Sequence, residues 1–244
     1  MLVLAVDTTS AHGSLAVLDD DALRGAMSFR TAKPRHAESL LPSVDYLLAR
    51  VEAKLDDMDG FAVAVGPGSF TGLRIGIAAM EGLAYALERP AVGVSTLEAT
   101  AFRYRHRRGL LVALIEAYRG EVYGASYRSD GESIEQASEP TCMPPKDFLD
   151  SLSEPPELVA GSATVGYRDI LDANLPESVT IAEPSWFIAE EVARLGTRKL
   201  EAGERAPLGG LDALYIRPSE AVRNRASKTN KPAKPIEPIE EARK

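Results

Sequence analysis

Residues 61 to 95 constrain the fold more than any other stretch. They read Phe61-Ala-Val-Ala-Val65, then Gly66-Pro-Gly-Ser-Phe-Thr-Gly72, then an apolar segment rich in small residues to Leu87, and finally Ala91-Val-Gly-Val-Ser95. An unbroken apolar run ahead of a Gly-Pro break is the pattern of a strand buried on both faces, as in a parallel sheet. Ser69 is placed to cap a helix, so the spacing predicts strand, glycine loop, helix, strand. Glycines at 66, 68 and 72 allow backbone amides to approach a ligand or a neighbouring chain, and a helix N-terminus attracts anions. Neither named phosphate loop matches. Gly72 is followed by Leu73 and Arg74 where a Walker A loop needs Lys and Ser or Thr, and the third glycine falls one place late for a dinucleotide fingerprint. A tight turn whose glycines serve packing alone competes on equal terms.

Three strands are predicted ahead of this unit, at Leu2 to Val6, Ser14 to Leu18 and Ala22 to Phe29, with a turn at Asp19 to Asp21. Between the first two lies Asp7-Thr8-Thr9-Ser10, whose hydroxyls, amides and carboxylate suit phosphate and a hydrated metal but equally suit an Asx or Ser/Thr turn. The anion-binding set to be tested is therefore Asp7, Thr8, Thr9, Gly66, Gly68, Ser69, Thr71, Gly72 and Arg74. Leu40, Val44, Leu47, Val51 and Leu55 form a helical stripe that Leu41 and Leu48 broaden, with Ser39 as the expected cap and Pro42 in the first turn. In the helix after the glycine loop, Gly72, Gly76, Ala79, Gly82 and Ala86 recur at helical spacing, a pattern that calls for a closely packed neighbour because helical glycine is unfavourable by about 1 kcal/mol. With the helix from Thr96 to about Tyr104, the order becomes βββαβαβα, an antiparallel opening that feeds parallel strands with crossover helices, as in the actin, Hsp70 and sugar-kinase class of folds (ASKHA). The basic cluster Arg103 to Arg108 reads first as a solvated helix end.

A second, proline-punctuated unit follows, with strands at Leu111 to Ile115, Glu121 to Tyr127 and Ser133 to Ala137 and an amphipathic helix from Ser185 to Leu200. The expected organisation is α/β with two βββαβαβα-type domains, the second reduced: residues 1–108, 109–218, and a disordered tail at 219–244 of lysine, proline and glutamate. Across the 244 residues the formal charge of −8 argues against a surface that binds polyanions at large, so nucleic acid is not an expected direct ligand. One cysteine excludes an intramolecular disulfide, and the absence of a long apolar segment points to a cytoplasmic protein with no membrane partner.

The run Gly66-Pro-Gly-Ser-Phe-Thr-Gly-Leu-Arg-Ile-Gly76, together with Gly93-Val-Ser-Thr-Leu97, Val6-Asp-Thr-Thr9, His36-Ala-Glu-Ser-Leu-Leu-Pro42, Gly120-Glu-Val-Tyr123 and Tyr215-Ile-Arg217, resembles the TsaB (YeaZ) family over residues 1 to about 223. The resemblance implies a non-catalytic scaffold that dimerises with a TsaD-like catalytic paralogue in threonylcarbamoyl-adenosine modification of tRNA, with room for a TsaE-like ATPase and for a homodimer in isolation. It also implies a four-helix seam, for which Leu41, Val44, Leu48, Gly76, Ala79 and Leu83 are the expected residues. ATP and metal are expected on partner subunits, with no cofactor assigned to this chain. One departure stands out: Glu116-Ala117-Tyr118, with Arg119 one place later, replaces the Asp-Ala-Arg of many members.

The residues themselves offer little chemistry. His12, His36 and His106 share no helix turn, so no histidine pair is placed to hold a catalytic metal, and there is no Gly-x-Ser-x-Gly elbow. No catalytic residue and no metal ligand is therefore assigned. The rival readings are an ATP-dependent kinase or transferase using Asp7 and the 66–72 loop, which lacks convincing phosphate loops after Leu110, and a direct RNA-binding module, which the acidic charge disfavours.

Overall fold

The computed structural model describes residues 1–30, 36–207 and 209–216. The 31–35 loop, Arg217 and the 219–244 tail expected above lie outside them. The chain opens with β1 (Leu2–Asp7), β2 (His12–Asp19) and β3 (Ala22–Arg30), followed by α1 (His36–Arg50), β4 (Gly60–Gly66), α2 (Phe70–Ala86), β5 (Ala91–Ser95) and α3 (Thr96–Phe102). Strand order in the first sheet is β3-β2-β1-β4-β5, antiparallel through the opening meander and parallel from β1 to β4 to β5, with Leu4 beside Phe61 and Val6 beside Val63. The second lobe contains β6 (Gly109–Glu116), β7 (Val122–Ser129), β8 (Ile134–Gln136), β9 (Thr141–Met143), α4 (Pro145–Asp150), β10 (Leu158–Ala160), α5 (Ala163–Gly166), α6 (Arg168–Asn174) and β11 (Thr180–Ile181). Its order, β8-β7-β6-β10-β11 with β9 also on β7, repeats the plan of the first in shortened strands. The doubled actin-like architecture with a reduced second half is what the order of elements implied.

The central strands are apolar on both faces because both faces are covered. Leu4, Val6, Phe61 and Val63 meet α1 and α2 through Leu40, Val44, Leu47, Ile77 and Met80, while Val3, Ala5, Ala62, Ala64 and Val94 face the other way. That second face is closed by α7 (Ala189–Glu201), through Val192, Ala193, Leu195 and Leu200. Gly196 permits a close approach, since a Cβ there would lie 2.4 Å from that of Ala62.

This corrects two expectations. The last helix begins at Ala189 rather than Ser185, and it belongs to the first lobe, so a second domain running through 109–218 does not hold as a packing unit. The chain returns to the sheet built from its first residues because α3 covers only part of the face that carries Val3, Ala5 and Ala64. A strap then follows, with the Ala206 amide on the Ala91 carbonyl, the Leu211 amide on the Glu81 carboxylate and the Leu214 amide on the Val65 carbonyl. α3 is buried along its length because it lies between the lobes, giving Ala99 and Phe102 to the first sheet and Leu97 and Ala101 to the second. Its end is tied to α7 where the Arg103 guanidinium donates to the Glu191 carboxylate (3.1 Å) and the Phe187 carbonyl (3.0 Å). The cluster that begins there is thus partly structural rather than a freely solvated helix end.

A further correction concerns α1, which starts at His36, leaving Ser39 inside the helix and Pro42 exposed in the second turn. Internal proline costs about 3 kcal/mol, which the burial of Leu40, Val44, Leu47 and Leu48, at about 1.5–3 kcal/mol each, outweighs.

Glu98, on α3, gives a pH test of this packing. Burial pushes its carboxyl above the ordinary 4.5, with Lys199 pulling the other way. A carboxyl raised in the folded state takes up its proton there before the unfolded chain does, so stability falls as pH rises from the ordinary value through the raised one. Glu98→Gln is therefore expected to raise the melting temperature at pH 7 and to leave it unchanged near pH 4, as read by scanning calorimetry. An equal or lower value at pH 7 contradicts this.

Candidate functional site

The sequence-derived anion set does not form one site. α2 is capped by Ser69, whose hydroxyl accepts from the Gly72 amide at 3.3 Å. The Ser69 amide is itself bonded to the Thr9 carbonyl at 2.7 Å, and the Thr8 hydroxyl donates to the Gly72 carbonyl at 2.7 Å. The loop glycines exist for this contact: a Cβ on Gly72 would sit 1.9 Å from the Thr8 carbonyl oxygen, and one on Gly68 would sit 2.6 Å from that of Thr9. The glycine loop and the turn after β1 are thus packed backbone to backbone. Thr8 and Gly72 are buried within that contact, and Gly66 is buried against Leu73 and the Leu214 carbonyl.

The remaining members separate onto two surfaces. Asp7, Thr9, Gly68 and Ser69 line a cleft of about 910 Å³ between the lobes, opposite Glu116, Tyr118 and Ser162. Asp7 is buried and its carboxylate accepts from the Thr9 amide at 2.8 Å, the Asx-type turn that competed with a phosphate loop. Thr71 and Arg74 instead face outward, in a groove of about 530 Å³ between α1 and α2. The Arg74 guanidinium lies 4.1 Å from the centre of the Phe70 ring, and its Nε donates to the Tyr215 hydroxyl at 3.4 Å. The expected set is therefore split by the thickness of the glycine loop, and Arg74 cannot share a ligand with Asp7.

An ATP-dependent enzyme of this fold would hold a triphosphate and a metal ion in the interlobe cleft. The residues do not fit that group. Among the described residues Arg30 is the only cation lining the cleft, set against the carboxylates of Asp7 and Glu116, and no cluster of histidine, cysteine or carboxylate side chains is arranged to hold a metal ion. A polyanion placed there would meet net negative charge.

The α1 and α2 groove has a different character. Its walls are Ala37, Leu40, Leu41, Phe70, Ile75, Ala78 and Ala79, with Leu41 and Phe70 respectively 47% and 44% exposed. Tyr215 of the C-terminal strap stacks on Phe70 at 5.6 Å and extends that face. Of the residues expected in a seam, Leu41 lies on this outer face and Ala79 and Leu83 are half-buried beside it. Val44, Leu48 and Gly76 are corrected: they point into the chain's own core, and a Cβ on Gly76 would lie 2.4 Å from the Thr8 hydroxyl and 3.4 Å from Val63. Gly72 and Gly76 thus bring α2 close to the β1 turn and the sheet. Sequence reasoning missed Ala37, Phe70 and Ala78. A large aromatic at the first helical position, directly after the cap, was the signal available.

The chain is similar to known proteins. A family model described as TsaD, tRNA N6-adenosine threonylcarbamoyltransferase, matches residues 28–196. The tRNA threonylcarbamoyladenosine biosynthesis protein TsaB of Bacillus subtilis is 32% identical over 225 residues, covering 91% of this chain and 96% of the relative. TsaB of Escherichia coli is 38% identical over 136 residues, 55% of this chain and 58% of that protein. Among solved structures, YeaZ from Pseudomonas aeruginosa superposes with a TM-score of 0.73 at 30% identity, covering 88% of this chain and 99% of that one.

Proposed function

The chain belongs to the TsaB (YeaZ) family and has a role in tRNA threonylcarbamoyladenosine modification, and from that premise we propose that it acts as a non-catalytic scaffold that docks a TsaD-like catalytic paralogue through α1 and α2. The observation that carries this reading is the groove around Leu41 and Phe70, where large apolar side chains stand half exposed along two adjacent helices. Exposed apolar side chains grouped on one face of a protein mark an association surface. Leucine and phenylalanine set among alanines allow two helix pairs to interlock at close range. Arg74, held over Phe70, adds a cation at the rim that gives orientation more than affinity.

In this reading ATP and metal reside on partner subunits, and a second copy of the chain competes for the same face when no paralogue is present. A TsaE-like ATPase and the tRNA join through the assembled complex. Catalysis by this chain alone has little support, because the described cleft offers neither an activated nucleophile nor charge for a triphosphate. No helix among the described residues is long and apolar enough to cross a membrane.

The test is calorimetric titration of the full chain with the TsaD-like protein from the same cell, with sedimentation of the chain alone. One-to-one binding that displaces any self-association is expected. The isolated chain is also expected to hydrolyse no ATP above background. Turnover abolished by Asp7→Ala would replace the scaffold with a kinase-like enzyme.

A further inference from the structure

We infer that the interlobe cleft is a binding site for an uncharged ring carrying neighbouring hydroxyl groups, either a sugar or the ribose of a nucleoside. The site is separate from the α1 and α2 face and does not depend on the scaffold reading. Its floor contains an unmet hydrogen bond: Thr96 lines the cleft, is only 4% exposed, and its hydroxyl has no partner. Thr100, one turn further along α3 and also on the cleft wall, donates its hydroxyl to the Thr96 carbonyl at 2.7 Å, so of the two threonines only Thr96 leaves a hydroxyl unmet. A buried hydroxyl without a partner is unfavourable and marks a place where a ligand atom completes the bond.

The walls define the ligand class. Glu116 reaches the cleft from the end of β6, its amide held by the Ser162 hydroxyl at 3.1 Å, and Asp7 faces it from the end of β1. Carboxylates accept hydrogen bonds from neighbouring hydroxyls of a ring and repel phosphate. Two large aromatic residues also line the cleft while remaining open to solvent: Trp186 is 42% exposed and Tyr118 72% exposed. Trp186 is steadied by the His12 ring, whose centre is 5.2 Å away. Tyr118 begins three consecutive residues with left-handed backbone, at φ of 58°, 60° and 81° for Tyr118, Arg119 and Gly120. Tyrosine rarely adopts that conformation, and its use here places an aromatic ring at the mouth of a polar cleft. Aromatic faces on the walls and carboxylates near the floor suit the C–H face and the hydroxyl edge of a neutral ring.

Trp186 is the sole tryptophan of the chain, so intrinsic fluorescence of the intact protein reports on the cleft directly. Titrations with adenosine, D-glucose and ATP, the last with and without magnesium, are expected to give a saturable change for adenosine or glucose. The expected dissociation constant is on the order of 0.1–1 mM, with ATP at least about tenfold weaker. Which of the two neutral compounds saturates identifies the source of the ring. Thr96→Val and Glu116→Gln are each expected to weaken binding by about fivefold or more. Glu116 is exposed, so its variant remains informative if the Thr96 variant fails to fold, as circular dichroism will show. No saturable change with either neutral compound, ATP binding tighter than adenosine, or a folded Glu116→Gln protein that binds like the wild type overturns the inference.

Discussion

Gly72→Ala is expected to lower the stability of the isolated chain by about 3–4 kcal/mol, a drop in melting temperature of roughly 6–16 °C for a chain of this size. The new Cβ would lie 1.9 Å from the Thr8 carbonyl oxygen, a backbone atom at the end of a central strand. No side-chain rotation relieves such a contact. The glycine loop must lift from the β1 turn, and with it go the hydrogen bonds from the Thr8 hydroxyl and the Ser69 amide. Gly82→Ala is the matched control, since it changes the same residue type in the same helix at a position with nothing within 4 Å. There the gain in helix propensity predicts stabilisation by about 0.5–1 kcal/mol. Thermal unfolding of the two variants beside the wild type decides the matter. Equal effects of the same sign would mean that the loop is not seated against Thr8 as described.

Leu41→Asp is expected to leave the chain folded and to weaken its association with the TsaD-like paralogue by about 30- to 700-fold, or about 2–4 kcal/mol. Leu41 is 47% exposed on α1, so in the free protein a carboxylate there remains in water. In the proposed complex it would be buried against apolar side chains with no partner of opposite charge, which is strongly unfavourable. Val44→Asp, one turn away on the same helix, should behave in the opposite manner. Val44 is only 1% exposed, so the chain should fail to fold before any question of affinity arises. Titration calorimetry combined with melting curves separates the outcomes. A folded Leu41→Asp protein that binds the paralogue at wild-type strength would remove α1 from the interface.

The difference between Leu41 and Val44 also shows what the sequence could and could not convey. The order of elements was legible because buried parallel strands leave long apolar runs, and the run at Phe61 to Val65 has no other economical explanation. The faces of α1 were not, because the apolar stripe is wide and side chains that meet the sheet look the same as side chains that meet solvent. The glycines of α2 were misread in part for a related reason. Their pattern announces a close neighbour, but that neighbour is Thr8, more than sixty positions earlier in the chain. Spacing within a segment cannot name a distant contact. The cleft was legible only in part: Asp7, Thr9, Gly68 and Ser69 stood in stretches the sequence singled out, whereas Thr96, Glu116, Ser162 and Trp186 come from separate segments with no motif of their own.

The seating of α7 on the first sheet bears on how the protein is made. The strands that α7 covers are complete once residue 95 has left the ribosome, yet their cover ends at Glu201. At about 5–20 residues per second, the roughly 100 residues between them take about 5–20 s to synthesise. Throughout that interval the face of Val3, Ala5, Ala64 and Val94 has only α3 to cover it on each nascent chain. The first lobe therefore matures only after the second has been translated, and a gene fragment ending near residue 108 should yield an aggregating product rather than an independent half.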